Sequence, residues 1–164
     1  MGIQLELLSP GYTKDLNDMK STLTTLEVCA GAGGQGLGYD QAGFEHVGLV
    51  EIDKQACATL RLNRPHWNVL NRDLTEFDGS VFKGIDLITG GLPCPPFSVA
   101  GKQLGKDDER NLFPEAIRLV DEIRPRAIMI ENVRGILDAV FEDYRLYVGK
   151  ELRKLVPRPL DQIR

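Results

Sequence analysis

At 164 residues, 42% hydrophobic and 27% charged, the chain is long enough to bury one core without disulfides or metal, and it holds no apolar run of membrane-spanning length. A formal net charge of -4 argues against a chain that grips a polyphosphate by its own surface. Cys29, Cys57 and Cys94 are odd in number and form no Cys-x-x-Cys pair, and His46 and His66 lack ligand spacing, so neither a disulfide framework nor a metal site is expected and both histidines read as structural or surface residues.

Residues 1–22 are polar and mixed in charge and read as a leader. Glu6, Pro10 and Gly11 break the order that a secretory signal needs, so a cytoplasmic location without membrane contact is expected. A domain is expected over 23–156. A β-rich run at 24–29 leads through glycines into a short helix toward Ala42, and a second apolar run follows at 47–52. Asp53 can cap a helix that runs through Asn63 and is closed by Pro65; a short strand follows near Val69, then a compact strand at 85–89. Beyond a loop at 90–110, Asn111 can cap a helix in which Phe113, Ala116, Ile117 and Val120 keep helical spacing until Arg124 and Pro125. Residues 127–130 read as a fifth strand. Phe141, Tyr144, Val148, Leu152 and Leu155 then share one helical face, which Pro157 and Pro159 end, leaving 157–164 as a Pro-rich tail.

Strands separated by helices imply right-handed crossovers and an α/β fold: a doubly wound, mostly parallel, Rossmann-like sheet that binds ligands at the C-terminal ends of its strands. The glycines from Gly31 to Gly38 directly follow the first strand, where bare backbone can approach a ligand. Glu51, ending the second strand, stands where a carboxylate accepts from ribose hydroxyls. The spacing Gly31-x-Gly33-x-x-Gly36 points to an adenosine-type cofactor, and a nicotinamide dinucleotide satisfies it too. Asp73 could hold an exocyclic amine, or serve as a turn residue or helix cap.

In the segment from Gly90 to Ser98 three prolines surround Cys94 at a ligand-binding strand end. Glycines permit close approach and prolines fix direction, which favours a nucleophile, whereas Cys57 reads as a small buried hydrophobe. Lys102, Lys106 and Arg110, with Gly101 and Gly105, suit a mobile basic flap over a phosphate-bearing substrate; a plain solvated loop accounts for them equally. Glu131, ending the fifth strand, is expected to project from apolar surroundings, where burial raises a carboxyl pKa and makes a useful acid. Asn132 beside it can also be a helix cap.

Leu26-Glu27-Val28-Cys29-Ala30-Gly31-Ala32-Gly33-Gly34, Glu51-Ile52-Asp53, Gly91-Leu92-Pro93-Cys94-Pro95-Pro96-Phe97-Ser98 and Glu131-Asn132-Val133-Arg134-Gly135 follow one another in the order and spacing of the DNA (cytosine-5)-methyltransferase family, which the chain resembles over residues 24–155. The resemblance implies an S-adenosylmethionine-dependent methyltransferase fold, with Cys29, Ala30, Gly31, Gly33, Gly34 and Leu37 around the methionine end of the cofactor. It further implies Glu51 on the ribose, Ile52 packed on the adenine, Asp73 accepting from the adenine amine and Leu74 offering a backbone contact. It makes Cys94 the group that adds to C6 of cytosine, Glu131 the partner of N3 and the amino group, Asn132 the residue that positions the Pro-Cys loop, and Ser98 a contact to the DNA backbone beside a flipped base in duplex DNA.

Pro95 stands where many members of that family have glutamine. The family continues with a Gln-x-Arg-x-Arg segment, a target-recognition region and a final helix, which are absent here. Either they lie on a second polypeptide or the reading frame is truncated, and both readings place the phosphate-gripping surface elsewhere. The function expected is methyl transfer to C5 of cytosine in a restriction-modification system, dependent on that further portion. A catalytically silent partner built on the same fold is the alternative.

Overall fold

The computed structural model describes residues 22–93 and 111–156; the leader, the tail and the segment 94–110 lie outside the described residues. Five parallel strands form one sheet in the order β3-β2-β1-β4-β5: β1 (Thr24–Val28), β2 (Glu45–Glu51), β3 (Val69–Asn71), β4 (Leu87–Gly91) and β5 (Ala127–Glu131). The helices are α1 (Gly34–Gln41), α2 (Lys54–Asn63), α3 (Phe113–Ile123) and α4 (Glu142–Leu155). The chain winds outward from β1 to β3, then crosses back so that β4 lies against the other side of β1. That reversal is the topological switch point, the place where open α/β sheets bind ligands. The doubly wound expectation is borne out.

The two faces of the sheet carry separate cores. Leu26, Val28 and Ile88 pack with Phe113, Ala116, Leu119, Val120 and Ile123 of α3 and Val148 of α4; a smaller core joins Ala30, Leu49, Leu60 and Trp67 beneath α1 and α2. Helix α3 forms because its apolar residues recur on one face, five of them buried; Pro114 lies in its first turn, where the missing N–H costs nothing, and the helix ends on Arg124 in a left-handed conformation before Pro125. Asn111 is not the N-cap expected of it, since Leu112 holds that position; it supports the start from one residue further out, its Oδ1 accepting from Phe113 N at 3.2 Å. Asp53 caps α2 as expected, accepting from Ala56 N.

Strands β2 and β4 are displaced from the sequence expectation. Strand β2 begins at Glu45, and its pairing with β1 slips by one residue between Thr25 and Leu26. That bulge places His46 against Trp67, ring centroids 4.7 Å apart, while Val47 packs on the opposite core. Strand β4 runs two residues later than expected and takes in Gly90 and Gly91. A Cβ on Gly90 would collide with the Val28 backbone, so glycine here lets β1 and β4 lie close at the switch point. Among the described residues no helix is long and apolar enough to cross a membrane.

Candidate active site at the switch point

Strand β1 leads into the glycine turn through Cys29, a non-glycine residue at φ 53°, and Gly31 and Gly33 follow at φ 55° and 90°. Gly33 is the N-cap of α1; a Cβ there would come within 2.5 Å of Leu60 Cδ2, so this glycine is needed for both its conformation and its space. The turn closes through Gly33 N donating to Ala30 O, and Leu37 N donating to Gly33 O is the bond that opens α1.

Glu51 locks this turn. Its Oε2 accepts from Gly31 N at 2.7 Å and its Oε1 from Asp53 N at 2.8 Å, so one nearly buried carboxylate joins the end of β2 to the turn after β1. A carboxylate has about four acceptor sites, and each oxygen keeps one for a hydroxyl donor. A small cleft of about 60 Å³ opens beside it, lined by Cys29, Glu51, Ile52, Asp73 and Leu74 together with Arg72 and Leu112. Five of the ten residues expected around a cofactor thus share one cleft, and Gly31 is bonded to its wall. Ile52 is 62% exposed, an apolar side chain available to a flat ring. Asp73 caps a short 3-10 turn (Leu74–Glu76); both of its bonds, from Thr75 N and Thr75 Oγ1, fall on Oδ1 and hold its carboxyl below the usual range. Cap and ligand contact are compatible, because Oδ2 takes no part in the cap.

The thiols of the described cysteines are unsuited to nucleophilic work. Burial, reinforced by Glu51 and Asp73, pushes Cys29 up to about 12, and burial also raises Cys57, whose Sγ donates to Glu51 O. Cys57 is the buried hydrophobe expected of it. Cys94, Ser98, Lys102, Lys106 and Arg110 lie outside the described residues, but the root of their loop does not. Leu92 is 1% exposed, and its carbonyl accepts from Asn132 Nδ2 at 3.1 Å, while Asn132 Oδ1 accepts from Val133 N. Glu131 pairs with Gly91 in the sheet register, and its Oε2 lies 3.4 Å from where a Gly91 Cβ would be.

Glu131 itself is exposed, which corrects the expectation of a buried acid. The reason is its strand: β5 is the outermost strand, and its residues alternate between exposed and half-buried because only the α3/α4 side is covered. A larger cavity, about 370 Å³, is mostly apolar and lies on that covered side between the end of β5 and α4, with Asn132 among its lining residues.

Sequence reasoning passed over Glu27. It sits in the middle of β1, 1% exposed, beneath Gly36 of α1, and burial pushes its carboxyl up to about 7 against the lowering effect of the Gly36 backbone. A charged residue between Leu26 and Val28 in a central strand was the available signal. His46, which the sequence reads as structural or surface, has its Nε2 2.9 Å from Gly36 O.

A sequence profile of the C-5 cytosine-specific DNA methylases matches residues 23–155. The chain is 64% identical over 132 residues to the Type II methyltransferase M.NgoMIV of Neisseria gonorrhoeae, covering 80% of this chain and 42% of that protein. It is 50% identical to M.NaeI of Lentzea aerocolonigenes, over 82% of this chain and 33% of that one. The chain therefore spans less than half the length of these curated relatives. Among solved structures, a protein described as a prophage-encoded DNA modification methyltransferase of Escherichia coli superposes with a TM-score of 0.69 at 30% identity, covering 81% of this chain and 38% of that one. A mutant of DNMT2 from Spodoptera frugiperda gives 0.62 at 29%, covering 80% and 41%. With the cofactor turn, the acid at the end of β2 and the Pro-Cys root gathered at one switch point, the chain belongs to the C-5 cytosine-specific DNA methylase family, whose fold and cofactor are those of S-adenosylmethionine-dependent methyltransferases.

Proposed function

We propose that this chain carries the cofactor-binding and nucleophile-bearing part of a Type II enzyme that methylates C5 of cytosine in duplex DNA, acting in the cytoplasm as the modification arm of a restriction-modification system. The observation that carries the reading is the bond from Asn132 Nδ2 to Leu92 O. It ties the residue after Glu131 to the residue two before Cys94 at one sheet end, near the cleft lined by Glu51.

S-adenosylmethionine supplies an activated methyl group. Glu51 fits it by directing its remaining acceptor sites to the ribose hydroxyls; Ile52 packs on the adenine, Asp73 accepts from its amine, and the Leu74 backbone completes the edge. Cys29, Ala30, Gly31, Gly33, Gly34 and Leu37 surround the methionine end. A target cytosine must leave the duplex, because C5 and C6 are approached from the faces of the base. The Cys94 thiolate adds to C6 while Glu131 holds N3 and the amino group, which makes C5 nucleophilic; C5 would take the methyl, releasing S-adenosylhomocysteine, and then give its proton to water as the C6–S bond breaks and the thiolate leaves. Asn132 fixes the loop from below. Ser98, Lys102, Lys106 and Arg110 meet the DNA backbone, a basic cluster on a chain whose net charge is -4.

Target recognition belongs to a further portion, on a second polypeptide or on an extended chain. The exposed side of β5, where Met129 is 48% exposed and Glu131 stands at the strand end, supports a docking place for it. The purified 164-residue chain is accordingly expected to transfer no methyl group to duplex DNA; robust transfer by it would refute the need for that portion. Complemented by the C-terminal portion of a close relative, it should form a covalent complex with DNA carrying a mechanism-based cytosine analogue, and Cys94→Ser should abolish it. An adduct that survives Cys94→Ser, or no adduct in an assembled complex that binds DNA, would instead favour a silent partner.

A further inference from the structure

The two residues proposed for the adenine edge, Asp73 and Leu74, stand on a segment with little of its own to hold it. Strand β3 before them is three residues long and lies at the sheet edge. The 3-10 turn Leu74–Glu76 closes through long bonds, Glu76 N to Asp73 O at 3.2 Å and Phe77 N to Leu74 O at 3.3 Å. What holds the segment is α3. The Arg118 guanidinium donates from Nη2 to Leu74 O at 2.8 Å and from Nη1 to Phe77 O at 3.1 Å, so one side chain bridges the start and the end of the turn. Glu115 and Glu122, one turn to either side on the same helix, aim the fork: Nε meets Glu115 Oε2 at 2.7 Å and Nη1 meets Glu122 Oε1 at 2.6 Å. The other oxygen of Glu122 accepts from Gly79 N at 3.0 Å, and a Cβ on Gly79 would come within 2.8 Å of Leu119 Cδ2, so the backbone beyond the turn also lies directly on α3.

We propose that Arg118 is a positioning residue for the cofactor cleft: by pinning the carbonyls of Leu74 and Phe77 to α3 it fixes where Asp73 stands, and through Asp73 it sets the preference for a purine with an amino group at position 6. The statement rests on the cofactor reading above, in which Asp73 accepts from the adenine amine. The cleft supports it, because Asp73, Leu74 and Leu112, the cap residue of α3, line the same opening; a single helix thus steadies the segment and borders the space it faces. Asp73 Oδ1 is occupied by Thr75, which leaves Oδ2 for a ligand, and a hydrogen bond to one oxygen tolerates little displacement. Arginine suits this task and lysine does not. A guanidinium presents its N–H groups in a fixed planar fork and here reaches two carbonyls and two carboxylates at once. An ammonium on a flexible stem keeps the charge and pairs with the carboxylates, but it cannot span both carbonyls. Charge pairing with Glu115 and Glu122 is therefore separable from the hold on the turn.

The test uses the 164-residue chain with Arg118→Lys and Arg118→Met, first without ligand. In amide hydrogen exchange, residues 75–77 should exchange about tenfold faster in both variants, while the α3 amides of Arg118→Lys stay as in the wild type. Calorimetry with S-adenosylhomocysteine and its 6-oxo analogue, S-inosylhomocysteine, then reads the cleft. The oxo group turns a donor into an acceptor that faces a carboxylate, so the wild type should prefer the adenine form by about 30-fold, and both variants should narrow that ratio to about threefold or less. Arg118→Lys is the deciding variant: a role in charge pairing alone predicts wild-type selectivity for it, and it decides by itself if Arg118→Met fails to fold. Val148→Ala, which thins the same core from α4, should lower stability and leave the ratio unchanged. An unaltered ratio in Arg118→Lys beside a wild type that discriminates overturns the proposal and leaves the cofactor reading standing. Unaltered exchange at residues 75–77 in both variants, or a ratio that falls equally in Val148→Ala, overturns it too. A wild type that binds neither analogue overturns the cofactor reading and the selectivity claim with it, while faster exchange in the variants still upholds the hold of Arg118 on the turn.

Discussion

Glu51 and Glu27 are both carboxylates on neighbouring central strands, and their surroundings give them opposite work. Glu51 has a backbone donor on each oxygen and so stays an acceptor for the turn and for a ligand. Glu51→Ala removes both bonds and leaves two amides without partners, so it should cost about 2 kcal/mol of stability and lower affinity for S-adenosylhomocysteine by an order of magnitude, measured by denaturant titration and calorimetry. Glu27 is raised from 4.5 to about 7, so between those values the native chain holds a proton that the unfolded chain has lost. Its contribution is therefore full below pH 4.5 and is lost as pH rises through 7, a decline of about 3 kcal/mol. Glu27→Gln should remove that decline, and urea denaturation of both proteins at pH 5 and pH 8 checks it. Glu51 was legible from its place after a second strand. Glu27 was not singled out, because a strand pattern identifies alternate faces without saying which neighbour covers them.

At the scale of elements, periodicity served the long helices well. Phe113, Ala116 and Val120 mark the buried face of α3, and Leu119, at the centre of that face, is fully buried. Leu119→Ala should lower stability by about 3 kcal/mol, read as a shifted urea midpoint with unchanged slope. The short 3-10 turns were not legible. The one at Leu74–Glu76 is held by a distant side chain: Arg118 of α3 donates to Leu74 O and Phe77 O while engaging Glu115 and Glu122. The displaced start of β4 has a similar origin. The apolar run suggested 85–89, but the close approach of β1 selects Gly90 and Gly91 as strand residues.

Across the whole molecule, strand order decides what is covered. The order β3-β2-β1-β4-β5 puts β1 and β4 side by side at the switch point, which brings the glycine turn to the Pro-Cys root, and it makes β5 an edge with Met129 and Glu131 exposed. In hydrogen exchange, the amides of β5 should exchange faster than those of β1 in the 164-residue chain, and a complementing C-terminal portion should slow them selectively. Unchanged β5 exchange in an assembled complex would place the docking surface elsewhere. By itself the sequence determined the alternation of strands and helices, the Asp53 cap, and the chemical inventory at each strand end, because those depend on local period and on residue type. Only the tertiary structure decided that Glu27 is buried and Glu131 exposed, because burial follows from where a strand lies in the sheet and which of its faces is covered.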